Sequence, residues 1–335
     1  GDSVTVKDGH TIIVAANAQC EDLFLRSSGG TTTFTQNAST TLTISGVFDM
    51  RSEAANGIID CTINGAVTTT GKFYLRTDYD GFDCDFNVGS TGTFDVNITS
   101  TSTILFNSNS TGSVFDIDGT MSIDGFLTIF CKDQSQLDID VSGELQVDRK
   151  FTLQPEGAAG AIRIDLDGGT LDCNGDLSFN ATAGALAANC YVDMRYAGAR
   201  LELDDALLFN TGKGTIHNDG TASTIAYDGT GAQTVEVDAN LIYYNLSIEG
   251  SGTKTLEDDL LTADMYGNVT VAAGATFDDG GNQLDVPLDG RVGRAGLVAH
   301  VEVDVDGRRP AGPAALVVPA AERAVVAARR QVGEV

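Results

Sequence analysis

Aspartates are the residues of this chain with the most evident chemistry. They recur two apart as Asp116/Asp118, Asp138/Asp140 and Asp165/Asp167. Residues i and i+2 of a strand face one side, so each pair sets two carboxylates together. On a parallel β-helix such a pair can serve as the acid and base of a glycoside hydrolase. It can equally hold calcium in a polysaccharide lyase. That chemistry wants a proton carrier or cation in the same patch, yet His10, His217 and His300 lie far apart and form no motif. An outward acidic face explains the pairs more simply, and the chain is expected not to be an enzyme.

The densest acidic loop is Thr77-Asp-Tyr-Asp-Gly-Phe-Asp-Cys-Asp85, with Asp78, Asp80, Asp83 and Asp85. Its Asp-x-Asp-Gly core opens like a calcium loop, but the Glu that closes an EF-hand is missing. Asp278-Asp-Gly-Gly-Asn282 is a second acidic turn. Calcium is therefore the one cofactor the sequence suggests; otherwise none is expected. Threonine arrays such as Thr31-Thr-Thr-Phe-Thr35 and Thr40-Thr-Leu-Thr43 stay mostly within the first hundred residues and read as ordinary outward strand positions.

The six cysteines, Cys20, Cys61, Cys84, Cys131, Cys173 and Cys190, include no CxxC and no Cys/His cluster. A zinc site is not expected. Their intervals of 41, 23, 47, 42 and 17 residues approximate one or two circuits of a repeat of roughly 20–24 residues. Stacked strands lie about 4.8 Å apart, a separation a disulfide accepts. Cys61–Cys84 and Cys173–Cys190 are the expected pairs, with Cys20 and Cys131 left free or linked between subunits. Reduced thiols buried as small hydrophobes are the alternative. Six sequons, at Asn37, Asn97, Asn109, Asn180, Asn245 and Asn268, are glycosylation candidates in a secreted chain.

The elements that would position these residues are strands. Period-two alternation recurs in Ser3-Val-Thr-Val6, Gln136-Leu-Asp-Ile-Asp-Val141 and Arg200-Leu-Glu-Leu203, the pattern of a half-buried strand. Many strands run into a glycine corner, as at Gly46, Gly65, Gly119, Gly125, Gly143, Gly168 and Gly198. Glycine there is expected to supply a positive φ. Several corners recur at the spacing of one circuit of a β-solenoid. A β-sandwich is the alternative, but it carries longer loops and a buried Trp or Tyr, and this chain has no Trp. The expected fold is all-β, a single-stranded parallel β-helix of roughly 12–14 coils, over residues 1–285. Residues 286–335 differ in composition: they hold four of the five prolines, and their seven basic residues are all Arg. This atypical C-terminal segment reads as a cap, a sorting or docking element, or non-native sequence.

Composition excludes some partners. Among 335 residues, 47 acidic against 20 basic side chains give a net charge of −27. Such a field repels nucleic acid and anionic lipid. No apolar run of the roughly 18 residues that a membrane helix needs is present, so no membrane span is expected. The clues lean towards an extracellular or cell-surface location.

Three segments are more specific. They are Gly229-Thr-Gly-Ala-Gln-Thr-Val235, Tyr243-Tyr-Asn-Leu-Ser-Ile-Glu-Gly-Ser-Gly-Thr-Lys-Thr-Leu256 and Gly267-Asn-Val-Thr-Val-Ala-Ala-Gly-Ala-Thr-Phe277. Together they resemble repeats of large secreted prokaryotic surface proteins, the filamentous-haemagglutinin-like and adhesin-like β-solenoids. The opening, Gly1-Asp-Ser-Val-Thr-Val-Lys-Asp-Gly-His-Thr-Ile-Ile-Val14, is similar to a first coil of such proteins. The resemblance implies a surface or matrix role and carries over no catalytic residue. The expected function is a structural protein that self-assembles, end-to-end or laterally, into a filament, sheath or coat. No amphipathic N-terminal helix covers the first coil, and uncovered strand edges favour addition. An adhesin stalk or a β-helix that binds surface carbohydrate is the second reading, and a polysaccharide-active enzyme the third.

Overall fold

Alternation builds the molecule. In Leu23–Ser27, Phe73–Thr77 and Gln136–Val141, every second side chain is buried and those between are only partly covered. A strand of that kind has one face to bury and two edges to pair, and stacking circuits of chain satisfies both. The computed structural model describes residues 1–284 except 78–80, 82, 99, 107–112, 133, 158, 181–188, 210–213, 219–221 and 262. Beyond them it describes only the backbone of Val292–Arg294. The C-terminal segment 286–335 otherwise lies outside the described residues.

The result is a parallel β-solenoid. Each coil contributes one strand to each of three faces. The first face stacks nine strands, from Val4–Val6 to Leu207–Phe209, and the second stacks nine, from Thr11–Val14 to Thr215–His217. The third stacks twelve, from Ala18–Cys20 to Val292–Arg294. Neighbours in each face pair in parallel and in register. Nine complete three-stranded coils fall short of the number expected, because the coils are longer than the glycine corners suggested. Down the first face the partners Phe48 and Phe73 are 25 residues apart, and Leu177 and Leu207 are 30 apart. After Tyr227 the plan changes. The second face continues as a single bridge, Ile216 to Leu241, and a new three-stranded sheet forms from Gln233–Val235, Gly252–Leu256 and Ala275–Asp278.

The interior of the early coils is a continuous apolar column. Phe34, Phe48, Phe73, Phe86, Phe94 and Phe115 are buried and pack ring to ring at 5.0–6.4 Å between centroids. Burying one such side chain contributes about 1.5–3 kcal/mol. Leu, Ile and Val continue the column through the later coils.

Glycine sits at the corners as expected, but mostly for another reason. Of the corner glycines named above, only Gly168 (φ 78) and Gly198 (φ 90) have a positive φ. The others lie where one coil's backbone presses on the next. A Cβ on Gly143 would run into the carbonyl of Gly119, and one on Gly119 into the carbonyl of Gly92. The same glycines carry the stacking bonds: Thr120 N–H donates to the Gly92 carbonyl and Glu144 N–H to that of Gly119. Close approach of backbones, rather than a special φ, fixes glycine at this corner.

Candidate functional site

In a solenoid, outward residues of successive coils form columns about 4.8 Å apart, so the register decides which side chains meet. Two columns stand out. On the first face Arg26, Arg51 and Arg76 are register partners. Lys7 follows Val6, the partner of Leu25, and so heads the same column. Four cations thus occupy four successive coils of a chain whose net charge is −27. Aromatic side chains flank them: the Arg26 guanidinium lies 4.8 Å from the Phe24 ring centre, and that of Arg76 lies 4.4 Å from Tyr74. Lys72 Nζ is 5.7 Å from the same tyrosine. Arg26 is already engaged, at 2.8 Å from Asp49 and 3.7 Å from Glu53. Lys7 and Arg51 are exposed.

On the second face, Asn87 is followed in register by Asp116, Asp140, Asp165, Asp193 and His217. The sequence's Asp pairs are thus split: Asp116, Asp140 and Asp165 share this column, while Asp118 and Asp167 lie in the corners after their strands. Asp138 stands in the adjacent column, opposite Arg163 at 3.7 Å. Burial, then neighbouring carboxylates, pushes Asp116 and Asp140 above the usual carboxylate range. Burial with Asp193 and Asp140 nearby pushes Asp165 to about 6. Asp193 moves the other way, because Arg195 donates to it and outweighs its burial. Three carboxylates of this column therefore crowd without a strong internal counterion.

The remaining sequence candidates separate. Asp83 and Asp85 of the acidic loop face outward on the strand Asp83–Val88, with Asp85 opposite Asp60. Burial and Asp85 raise Asp83. Asp78 and Asp80 lie outside the described residues, and among those described no three His, Cys, Asp or Glu side chains converge as a metal site. Asn37 and Asn97 are exposed. Asn180 donates to Gln154 at 3.3 Å, and Asn245 donates to the Ser223 carbonyl at 2.9 Å while accepting from Asn268. Asn109 lies outside the described residues.

The expected disulfides are a correction. All six cysteines are free thiols, five of them buried and Cys20 half-buried. Cys61 and Cys84 are on adjacent strands but slipped by two residues: Cys61 faces Phe86, and Cys84 faces Ile59. Cys173 belongs to the third face and Cys190 to the second. Burial pushes the Cys190 thiol to about 12 and raises that of Cys61 further. Cys131 is fully buried, which removes it as a link between subunits.

A shallow groove of about 430 Å³ crosses the third face between Arg200, Thr224, Asn245, Ser247, Asn268 and Thr270. Sequence reasoning missed the cationic column, although Arg26, Arg51 and Arg76 recur at equal 25-residue intervals. That periodicity was the available signal. Fold and columns together define a parallel β-solenoid with chemically distinct faces. Compared with protein-family models, curated proteins and solved structures, the chain matches none.

Proposed function

We propose that this chain is an extracellular structural protein that self-assembles into a filament, sheath or surface coat. The observation that carries the reading is the pair of outward charge columns, which repeat one side chain per coil, cations at Lys7, Arg26, Arg51 and Arg76 and carboxylates at Asp116, Asp140 and Asp165. A surface that repeats its chemistry at a fixed interval offers many weak contacts at once, and multivalent contacts hold where single ones do not. The exposed sequons Asn37 and Asn97 suit a secreted location. Electron microscopy of the purified chain at low salt, with light scattering over a concentration series, tests the reading. Extended or layered assemblies that grow with concentration are expected; monodisperse single particles throughout would refute it.

A second reading, a carbohydrate-binding surface, draws on the groove beside Arg200, Asn245 and Asn268. Planar amide and guanidinium groups in a shallow polar groove suit sugar hydroxyls. Retention of the chain on a polysaccharide column, lost in Asn245→Ala, would favour it.

A further inference from the structure

We infer that the C-terminal end of the stack is a docking surface for residues 295–335 of the same chain, which close it as a cap. The two ends of the rod are unequal. In the first coil Val6 and Val14 are 6% and 8% exposed, and Val4, Ile12 and Cys20 are only partly buried. In the last, Leu260, Met265, Val269, Val271, Phe277 and Leu284 are at most 1% exposed. The inward side chains of a terminal coil have no further coil beneath them, so they keep exposed surface unless other chain covers it. The last coil is instead as dry as the middle of the rod, where Ile129, Leu153 and Ile164 are 0% exposed.

Register points to the covering segment. Val292–Arg294 pairs with Val269–Val271, so the chain beyond Leu284 begins one further coil. Arg294 takes the rung of Val271 in the third face. Every earlier rung of that column, from Ile44 to Val271, is uncharged. An apolar interior does not accept an unpaired charge, so this rung marks the end of the apolar column rather than another repeat of it. Residues 295–335 outnumber the 23 that separate Val269 from Val292, and so suffice to cross the end.

Composition and charge fit the segment to that surface. Residues 257–284 hold Glu257, Asp258, Asp259, Asp264, Asp278 and Asp279 and no Lys, Arg or His. Residues 286–335 hold seven Arg against six acidic side chains, in a chain whose net charge is −27. Half of them are Val, Ala or Leu, and none is Ser, Thr or Asn. Apolar side chains suit the end of an apolar column, and guanidinium groups suit the exposed carboxylates of Glu257, Asp258 and Asp278 at its rim. A closed end also narrows the self-assembly reading. It admits contact between the sides of rods, but not addition to this end, whose strand edges are covered.

Hydrogen exchange of the full chain tests this, read by mass spectrometry at a concentration where light scattering shows single particles. In wild type, amides of Val269–Val271 and Ala275–Asp278 should exchange within about threefold of those in mid-rod strands. V317D/V318D and V325D/V326D each charge an apolar pair inside 295–335 and leave the rod's own residues intact. At least one of them should speed exchange across residues 257–284 by about tenfold or more, with the coils before Tyr227 unchanged. R329E/R330E should speed it by about threefold, as should raising salt from 50 to 500 mM. If none of the three variants alters the rates of residues 257–284, the cap is overturned. Near-unfolded exchange of those residues in monomeric wild type overturns it as well. So does protection that appears only on association, because a second copy then covers the end. Since exchange is read on single particles, a protected, variant-sensitive end supports the cap whether or not the chain assembles.

Discussion

The coils up to Tyr227 and the chain from Asp228 to Leu284 use one scaffold and fill it differently. In the first region the stack is phenyl and aliphatic, and the buried polar side chains include Ser27, Thr32 and Gln36, which bond backbone carbonyls near the corners. In the second an apolar core that includes Leu246, Ile248, Met265 and Phe277 also holds polar groups at its centre. Tyr227 and Tyr243 are both fully buried with their hydroxyls 2.8 Å apart, and Tyr243 donates onward to the Glu236 carbonyl at 2.7 Å. Lys254 is buried too, its ammonium donating to the carbonyls of Gly229, Gly231 and Ser251 at 2.6–2.9 Å. Its register neighbours are Gln233 and Phe277. Apolar filling is forgiving of order, because any similar side chain contributes. Polar filling must satisfy every donor and acceptor. The second region therefore adds specific bonds at its centre to the apolar filling that both regions share.

That contrast can be broken from either side. Phe73→Ala removes a ring in contact with three others, Phe48, Phe86 and Phe94, at 5.0–5.7 Å. It should destabilise by about 3–5 kcal/mol. Because stability in a stacked repeat is local, hydrogen exchange should accelerate in coils three to five and stay near wild type after Tyr227. Uniform acceleration would show the two regions to be one cooperative unit. Lys254→Met keeps the volume but removes the ammonium that donates to the carbonyls of Gly229, Gly231 and Ser251, of which Gly229 still accepts from Ser251 N–H, at a cost of about 1–3 kcal/mol. Here exchange should accelerate in Gly252–Leu256 and its neighbours only. If Met were neutral, the ammonium would contribute nothing over an apolar filler, and the contrast would collapse. Tyr243→Phe deletes one hydroxyl shared between Tyr227 and the Glu236 carbonyl and should cost about 1–2 kcal/mol. A loss no larger than a surface substitution would count against specific bonding.

How much of this was legible follows from what periodicity encodes. Alternation in Gln136–Val141 or Arg200–Leu203 reports which face is buried, so the strands and their stacking were readable. Glycine positions were readable, but their cause was not. Gly119 and Gly143 answer to the neighbouring coil, which a local reading does not contain. The cysteines failed for a related reason. An interval near one coil places Cys61 beside the right strand, yet a two-residue slip separates it from Cys84. The coil lengths that decide register vary between Phe73 and Leu207. The change of plan after Tyr227 left no mark, since Lys254 reads as a surface residue until its three acceptors are in place. The cationic column was legible and needed only a scan at 25 residues.

The smallest effect concerns pH, and it touches both regions. On the outer faces of the first, burial with nearby carboxylates raises Asp165 and Asp172 to about 6. In the second, burial raises Asp228 and Glu236, helped respectively by Asp204 and by Glu257. An acid whose folded pKa lies above its unfolded value holds more protons when folded. Its stabilising contribution is complete below about pH 4 and is lost as pH rises through the folded pKa. Stability should therefore fall between about pH 4 and pH 7. Asp8 and Asp22, lowered by hydrogen bonds from Ser28 and Val47, act in the opposite sense but below that window. Asp165→Asn should flatten the slope by about 1 kcal/mol, the full shift being discounted because the group is half exposed. Denaturation midpoints of wild type and variant at pH 4.5 and pH 7 measure it. The variant should gain at pH 7 and be near neutral at pH 4.5, where Asp165 is already protonated. An equal gain at both would trace the effect to packing or solvation of the amide rather than to the charge. A residual slope in the variant would then belong to Asp172 on the third face and to Asp228 and Glu236 of the polar-centred region.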